Sequence, residues 1–110
     1  MKPIIWLGAS RDEIRNFNDA GRRDTGFELY QVQQGLEPTD WKPMPTVAPG
    51  VREMRIHDRK EYRVLYVARF TEAVYVLHAF VKKTQQTPQR DIELARARFL
   101  QLLEARRRRP

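Results

Sequence analysis

The sequence contains no cysteine, two histidines and five glycines among its 110 residues. Because thiolates are absent, neither a disulfide framework nor a cysteine-rich metal site can form, and zinc is not expected. The common short catalytic motifs are absent as well: there is no glycine-rich phosphate loop, no His-Glu-x-x-His and no nucleophile elbow. We therefore expect no metal and no small-molecule cofactor, and the lack of cysteine suits a reducing compartment.

Apolar runs long enough to span a membrane are also missing. The N-terminal stretch MKPIIWLGAS holds an apolar run that is too short for a signal-peptide core and far too short to span a membrane. We therefore expect a cytoplasmic protein that does not associate with membranes. The hydrophobic fraction of 41% over 110 residues is enough for one core but not for two, so residues 1–110 are predicted to form a single domain.

Positive charge is in excess, and most of it lies near the C-terminus. The formal net charge is +7, of which residues 1–81 carry +1 and residues 82–110 carry +6. A local positive field of this kind attracts polyanions, and the attraction weakens as salt is added. For the arginine run at 106–109, a solubilising tail is the alternative interpretation.

The N-terminal half predicts one strand and two helices. Residues 2–7 form a short apolar run that is typical of a strand. Ser10 and Glu13 have the spacing of a capping box, in which each side chain bonds the backbone amide of the other at the start of a helix. A first helix is therefore expected to follow Ser10, and a second helix is expected to end at Gly35.

Residues 36–50 hold four of the seven prolines, and no regular element is expected there because proline lacks an amide donor and fixes φ. Three strands are predicted to follow. Residues 51–58 alternate between apolar and polar, as in a half-exposed strand, whereas residues 62–70 and 73–81 are apolar on both faces, as in central strands. His78 lies in the last of these runs and is interpreted as a satisfied core histidine.

A final helix is predicted to begin at Thr87-Pro88, with threonine as the N-cap and proline at the first helical position. Its apolar stripe is formed by Ile92, Ala95, Phe99, Leu102 and Leu103, and its opposite face carries Arg90, Arg96 and Arg98. The resulting order is β-α-α-β-β-β-α. This order predicts an α+β fold in which two N-terminal helices and a C-terminal helix pack on a mostly antiparallel, four-stranded sheet.

Cationic side chains recur at the ends of the predicted strands. The group comprises Arg55, His57, Arg63, Lys82 and Lys83. In an antiparallel meander these strand ends converge, so the group is expected to meet at one end of the sheet. Cations with few acids suit a phosphodiester, because negative charge builds up on the phosphoryl oxygens during transfer. The alternative is a set of solvated strand ends with local ion pairs.

Arg63 is the most informative member of this group, because it interrupts the otherwise apolar YRVLY. A buried arginine without a partner is very costly. Arg63 is therefore expected either to pair with a carboxylate such as Glu53 or to line an open concave face.

The stretches VREMRIHD, EYRVLYVARF and AVYVLHAFVKKTQQTP, with the arginine-rich final helix, resemble the phage-derived HigB-like branch of the RelE/ParE toxin superfamily. The similarity covers nearly the whole chain, since the opening strand and GFELYQVQQGLEPTDWKPMP fit it too. FVKKTQQTP after a YRVLY strand is fairly specific for this branch. The resemblance implies a RelE-like fold and a toxin of a type II toxin–antitoxin system, which a cognate helix-turn-helix antitoxin inhibits by direct contact.

The resemblance further implies a metal-independent endoribonuclease, an mRNA interferase that cuts messenger RNA on the ribosome and so inhibits translation and growth. By position in the family pattern, Arg55 and Arg63 would stabilise the phosphate, and Lys82 or Lys83 would orient or protonate it. His57 would act as base or acid, since its unperturbed pKa of about 6.5 suits proton transfer near neutrality. RNA and ribosome binding would fall to Arg90, Arg96, Arg98, Arg106, Arg107, Arg108 and Arg109.

The sequence departs from the RelE pattern in one respect. No tyrosine lies beyond Tyr75, whereas RelE-type members have a late tyrosine that stacks on or activates the substrate. Two alternatives therefore stay open: a ParE-like inhibitor of DNA gyrase, and a non-enzymatic phage-derived protein that binds nucleic acid or a partner. The convergent cations favour the nuclease, because a pure gyrase binder needs no phosphate site. For the nuclease, we expect Arg63→Ala to abolish growth arrest and to leave folding intact.

Overall fold

One mixed sheet of five strands organises the computed structural model, which describes residues 1–109. The strands are β1 (Ile4–Trp6), β2 (Trp41–Pro43), β3 (Val51–His57), β4 (Glu61–Val67) and β5 (Val74–Val81), and the helices are α1 (Ser10–Arg15), α2 (Asp19–Gln33) and α3 (Gln89–Arg107). The strand order is β1-β5-β4-β3-β2; β1 runs parallel to β5, and the other neighbours are antiparallel. The predicted α+β class, the meander of three long strands and the edge position of the first strand are confirmed.

Helices cover both faces of the sheet. On one face α3 packs on the strands through residues that include Phe99 and Leu102. On the opposite face α1 and α2 pack on them through residues that include Ile14 and Leu29. Two hydrophobic cores therefore lie on opposite sides of the same sheet, so the prediction that the composition allows only one core is wrong. Burial on both faces accounts for the continuous apolar runs of β4 and β5.

The prediction of no regular structure in residues 36–50 is wrong at one place. Trp41–Pro43 forms the edge strand β2, which pairs antiparallel with β3 and sets Lys42 opposite Glu53. The Met44 amide donates to the Val51 carbonyl at 2.8 Å. Because successive backbone amides of a strand point to opposite sides, the backbone nitrogen of Pro43 points away from β3. Its missing amide donor therefore costs no ladder hydrogen bond, and the sheet has five strands instead of the predicted four.

Tertiary contacts displace both predicted helix caps. Ser10 lies inside α1 instead of capping it, and its hydroxyl donates to the Val76 carbonyl of β5 at 3.1 Å, so the predicted capping box is absent. The N-cap of α3 is Pro88, one residue later than predicted. The Thr87 hydroxyl donates instead to the carboxylate of Glu53 at 2.9 Å. Both hydroxyls thus bond the sheet and not the start of their own helix.

Helix α1 covers an edge of the sheet that β1 leaves open, since β1 pairs with β5 at only three positions. Beyond them, the Glu13 carboxylate of α1 accepts a hydrogen bond from the Ala79 amide at 3.1 Å and lies 3.0 Å from His78 Nδ1. The same carboxylate accepts from Arg98 of α3 at 2.9 Å. His78 is buried and its Nε2 lies 2.7 Å from Asp91, so the prediction of a satisfied core histidine is confirmed.

Candidate functional site

The predicted cations of β3 and β4 meet on the face of the sheet that carries α3. Arg55 of β3 lies opposite Arg63 of β4, and His57 lies opposite Glu61. Because side chains alternate along a strand, these residues share one face, and the apolar core under α3 ends where they begin. We call the following side chains the cation cluster: Lys42 of β2, Arg55 and His57 of β3, Arg63 of β4, and Lys82 just after β5.

Glu53 lies at the centre of the cation cluster and is fully buried, with 0% of its surface exposed. Its carboxylate accepts hydrogen bonds from the Thr87 hydroxyl at 2.9 Å and from Arg55 Nε at 3.5 Å. Arg63 Nε and Lys42 Nζ lie 3.7 and 3.9 Å from it. A buried carboxylate is stable only with such partners. Glu53 thus holds three cations in fixed positions.

Arg63 is 6% exposed, and acids fix its guanidinium. Its Nη1 donates to Glu61 at 3.1 Å and to the Tyr62 carbonyl at 3.0 Å. Its Nε is buried without a hydrogen bond to any residue in 1–109, although it faces Glu53 at ion-pair distance. Of the two arrangements that the sequence allows for Arg63, pairing with Glu53 is therefore the one found.

His57 bridges two carboxylates at the exposed rim of the cation cluster. Its Nε2 lies 2.6 Å from Asp40, and its Nδ1 lies 2.7 Å from Glu61. The hydrogen bond with Asp40 raises the pKa of His57 above its ordinary value of 6.5, and the bond with Glu61 raises it further. The same bond lowers the pKa of Glu61. The imidazolium form of His57 is therefore favoured more than in a free histidine, which suits a proton donor better than a base.

The two neighbouring lysines after β5 have different surroundings. The Lys82 amide donates to the Glu61 carbonyl at 2.7 Å. Burial lowers the pKa of the Lys82 side chain, Glu53 opposes this effect, and Arg63 adds to it. Lys83 is exposed and lines a separate hollow at the start of α3. The structure thus brings Lys82 to the cation cluster and leaves Lys83 outside it.

The expectation that few acids accompany these cations is wrong. Asp40, Glu53 and Glu61 all lie within ion-pair distance of members of the cation cluster. A phosphodiester would therefore meet cations that are already oriented and partly neutralised. Protonation of His57 adds a positive charge at the rim.

Sequence reasoning missed Lys42 and Asp40, because both depend on β2 and no pattern in the proline-rich segment indicates a strand. The sequence did contain a sign that Glu53 is buried among cationic partners. Glu53 shares the inward face of β3 with Val51, where a carboxylate needs a partner.

The arginines of α3 do not form one exposed face. Arg98 is buried and donates to Glu13, so the prediction that it lies on the outer face, free to bind RNA, is wrong. Arg106 stacks on the Phe70 ring, with its guanidinium 3.8 Å from the ring centroid, and donates to Glu72 at 2.6 Å. The exposed members of the predicted RNA-binding set are Arg90, Arg96, Arg107, Arg108 and Arg109.

Within residues 1–109, no group of three or more histidine, cysteine or acidic side chains is arranged to hold a metal ion. In the same part of the chain, no helix combines the length and the apolar character that crossing a membrane requires.

The family model described as "Phage derived protein Gp49-like (DUF891)" matches residues 12–100 of this chain. The matched segment contains every member of the cation cluster and most of α3, and it ends before the arginine run at 106–109. None of the curated proteins matches the chain significantly.

Proposed function

The chain belongs to the Gp49-like family of phage-derived proteins, and on that premise we propose that it is the toxin of a type II toxin–antitoxin system. In this proposal the protein is a RelE/HigB-like, ribosome-dependent mRNA endonuclease that acts in the cytoplasm. Its partners are the ribosome, messenger RNA and a helix-turn-helix antitoxin. The resemblance of the strands and of the final helix to the HigB-like branch supports the proposal.

The observation that carries this proposal is the fixed arrangement of cations around Glu53. Arg55, Arg63 and Lys42 lie between 3.5 and 3.9 Å from one buried carboxylate. Stability alone does not account for this arrangement, because replacing a buried ionic group by apolar side chains is often neutral or stabilising. Cations held in advance of the reaction stabilise charge that develops on phosphoryl oxygens without reorganising.

The proposed reaction forms a bond between the 2′-oxygen and phosphorus and breaks the bond between phosphorus and the 5′-oxygen. A base takes the proton of the 2′-hydroxyl, and an acid gives a proton to the leaving 5′-oxygen. The products are a cyclic phosphate and a free 5′-hydroxyl. In our assignment Arg55 and Arg63 stabilise the phosphoryl oxygens. Lys82, to which the resemblance gives an orienting or protonating role, is assigned instead as the base, because burial lowers its pKa and so favours its neutral form relative to a free lysine. His57, held between Asp40 and Glu61, is the acid.

The adjacent lysines provide a matched test. Induced expression of the wild-type chain should arrest growth and create new mRNA 5′ ends only while translation proceeds. Lys82→Ala should lower the cutting rate by about 100-fold or more, since a general base contributes roughly 10²–10⁴-fold. Lys82→Arg should be equally impaired, because arginine stays protonated. Lys83→Ala should cut as the wild type does.

Each other outcome identifies a different function or site. If the Lys82 and Lys83 variants are both folded and lose cutting rate equally, the assignment of Lys82 as the base is refuted. Growth arrest with intact mRNA and broken DNA would indicate a ParE-like inhibitor of DNA gyrase. Arrest with intact mRNA and intact DNA would indicate a non-enzymatic binding protein. Near-UV circular dichroism and binding of the antitoxin establish that each variant is folded.

A further inference from the structure

An exposed aromatic residue of α2, on the face of the sheet opposite α3, lines a hollow that also reaches Arg55 and His57 at the end of β3. Phe27 is 59% exposed. It lines a hollow of about 240 Å³ whose wall also includes Thr39, Asp40, Arg55 and His57. We propose that this hollow binds one unpaired nucleobase of the RNA, stacked on Phe27, while the phosphate next to that base contacts Arg55. The inference rests on the proposed function and adds a base-binding site to it.

The hollow has the size and rigidity that such a ligand requires. Its volume of about 240 Å³ is below the roughly 300–1,000 Å³ of pockets for drug-sized ligands, so it suits a ligand the size of one nucleobase. The Glu28 carboxylate of α2 accepts hydrogen bonds from the Thr39 amide and the Thr39 hydroxyl, both at 2.7 Å. This pair fixes the segment that leads into β2 against α2, so the wall opposite Phe27 is formed before any ligand arrives.

Arg55 connects the hollow to the cation cluster. Its amide donates to the Asp40 carbonyl at 2.9 Å, and its Nε donates to Glu53 at 3.5 Å. The side chain is 30% exposed, so part of the guanidinium stays accessible to a phosphate. Because Arg55 and Phe27 line the same hollow, a nucleotide whose phosphate contacts Arg55 would have its base directed towards Phe27.

The carboxylates that line the hollow predict which nucleobases it prefers. Asp24 and Asp40 line it, and carboxylates accept hydrogen bonds from the amino groups of bases. Adenine, cytosine and guanine carry such an amino group. Uracil has only its ring N3–H, which lies between two carbonyl oxygens that a carboxylate repels. We therefore expect the cut sites to be depleted of uracil at one fixed position relative to the broken bond.

A cationic side chain of a protein partner is the competing occupant, since it too can stack on an exposed aromatic ring. The lining disfavours it. Of the three carboxylates in the wall, Glu28 is already bonded to Thr39 and Asp40 to His57. Arg55 and protonated His57 add positive charge to the same wall. Stacking of a neutral base avoids this repulsion and is worth enough to detect when one aromatic ring is removed.

The first test maps cut sites in cells for three variants. Phe27→Ala should lower the cutting rate about 10-fold, as expected for one stacked base, and should erase the depletion of uracil. Phe27→Trp should preserve both. Tyr30→Ala is the matched control, because Tyr30 is 50% exposed one turn further along α2 and lies outside the hollow, and it should behave as the wild type.

The second test does not require cleavage. The probe is a trinucleotide with 2′-O-methyl riboses, which cannot be cut, and its dissociation constant is measured by NMR titration. Phe27→Ala should weaken binding about 10-fold, whereas Tyr30→Ala should not change it. If the wild-type chain makes no cuts, the proposed function fails, but this measurement still decides whether the hollow binds a base.

Two results would overturn the inference and leave the nuclease in place. One is a Phe27→Ala variant that binds the trinucleotide and cuts mRNA as the wild type does. The other is a Phe27→Ala variant that retains RNA binding and loses affinity for the antitoxin, which would identify the hollow as a protein contact.

Discussion

At the scale of single residues, the structure changes what Arg63→Ala is expected to do. The sequence suggests that this variant folds normally, but Arg63 is buried between Glu53 and Glu61. Removing Arg63 leaves the fully buried carboxylate of Glu53 with the more exposed Arg55 and Lys42 as cationic partners. We expect Arg63→Ala to lower the free energy of unfolding by about 3 kcal/mol, measured by urea denaturation with an unchanged slope.

Arg55→Ala is the control for this measurement, because Arg55 contacts the same carboxylate from a position that is 30% exposed. It should cost less than about 1 kcal/mol. An Arg63→Ala variant as stable as Arg55→Ala would show that Glu53 does not need the guanidinium of Arg63. Activity losses in Arg55→Ala are therefore easier to interpret as chemistry than those in Arg63→Ala.

His57 provides a prediction about pH. Its partners Asp40 and Glu61 raise the pKa of His57 in the folded protein above the ordinary 6.5. A group whose pKa is raised on folding contributes stability that is complete below its unfolded pKa and is lost as the pH rises through the folded one. The stability difference between wild type and His57→Gln should therefore be largest below about pH 6.5 and should shrink at alkaline pH.

The variant Asp40→Asn tests whether the raised pKa of His57 depends on its contact with Asp40, and it leaves the imidazole itself in place. Asp40 raises the pKa of His57 more than Glu61 does, so its loss should move that pKa back towards 6.5, as followed by NMR titration of the imidazole protons. A titration curve of His57 that is the same in wild type and in Asp40→Asn would contradict the contact.

At the scale of elements, α1 is too short to be stable by itself and depends on contacts with β5 and α3. Burial would raise the pKa of Glu13, but hydrogen bonds with His78 and Arg98 outweigh it, and the pKa is lowered to about 2. Glu13→Gln should lower the free energy of unfolding by about 2 kcal/mol at pH 7. A group with a lowered pKa contributes its full stability above the unfolded value and loses it as the pH falls through the folded one, so this difference should shrink from about pH 4.5 and be lost by about pH 2.

The neighbouring acid Asp12 is a suitable control, since it is exposed in the first turn of the same helix. Asp12→Asn should cost less than about 1 kcal/mol, through the helix dipole alone. Equal losses for Asp12→Asn and Glu13→Gln would mean that the bonds of Glu13 to β5 and α3 do not stabilise α1.

At the scale of the whole molecule, the charge predicts how binding responds to salt. Arg107, Arg108 and Arg109 are exposed at the end of α3. If they contact ribosomal RNA, their joint replacement by Gln should lower the slope of log affinity against log salt by up to about 3, measured by ribosome cosedimentation. Arg22→Gln, on α2 across the sheet, should leave the slope unchanged. An unchanged slope in the triple variant would favour the solubilising tail.

The sequence by itself determined the three long strands and the α+β class, because alternation and apolar runs are local properties of the chain. It also determined the end of α2, where Gly35 adopts a φ of 86° that glycine tolerates best. It placed Arg55 and Arg63 together, since the pairing of β3 with β4 follows from a short turn.

Only the tertiary structure decided which groups meet across elements. It added β2, and with it Lys42 and Asp40, because an edge strand depends on a neighbour that its own sequence does not show. It turned Arg98 inward, because the carboxylate of Glu13 lies where α1 covers the open edge of β5. Arg98 and Glu13 lie 85 residues apart in the sequence, so no local pattern could show that they pair.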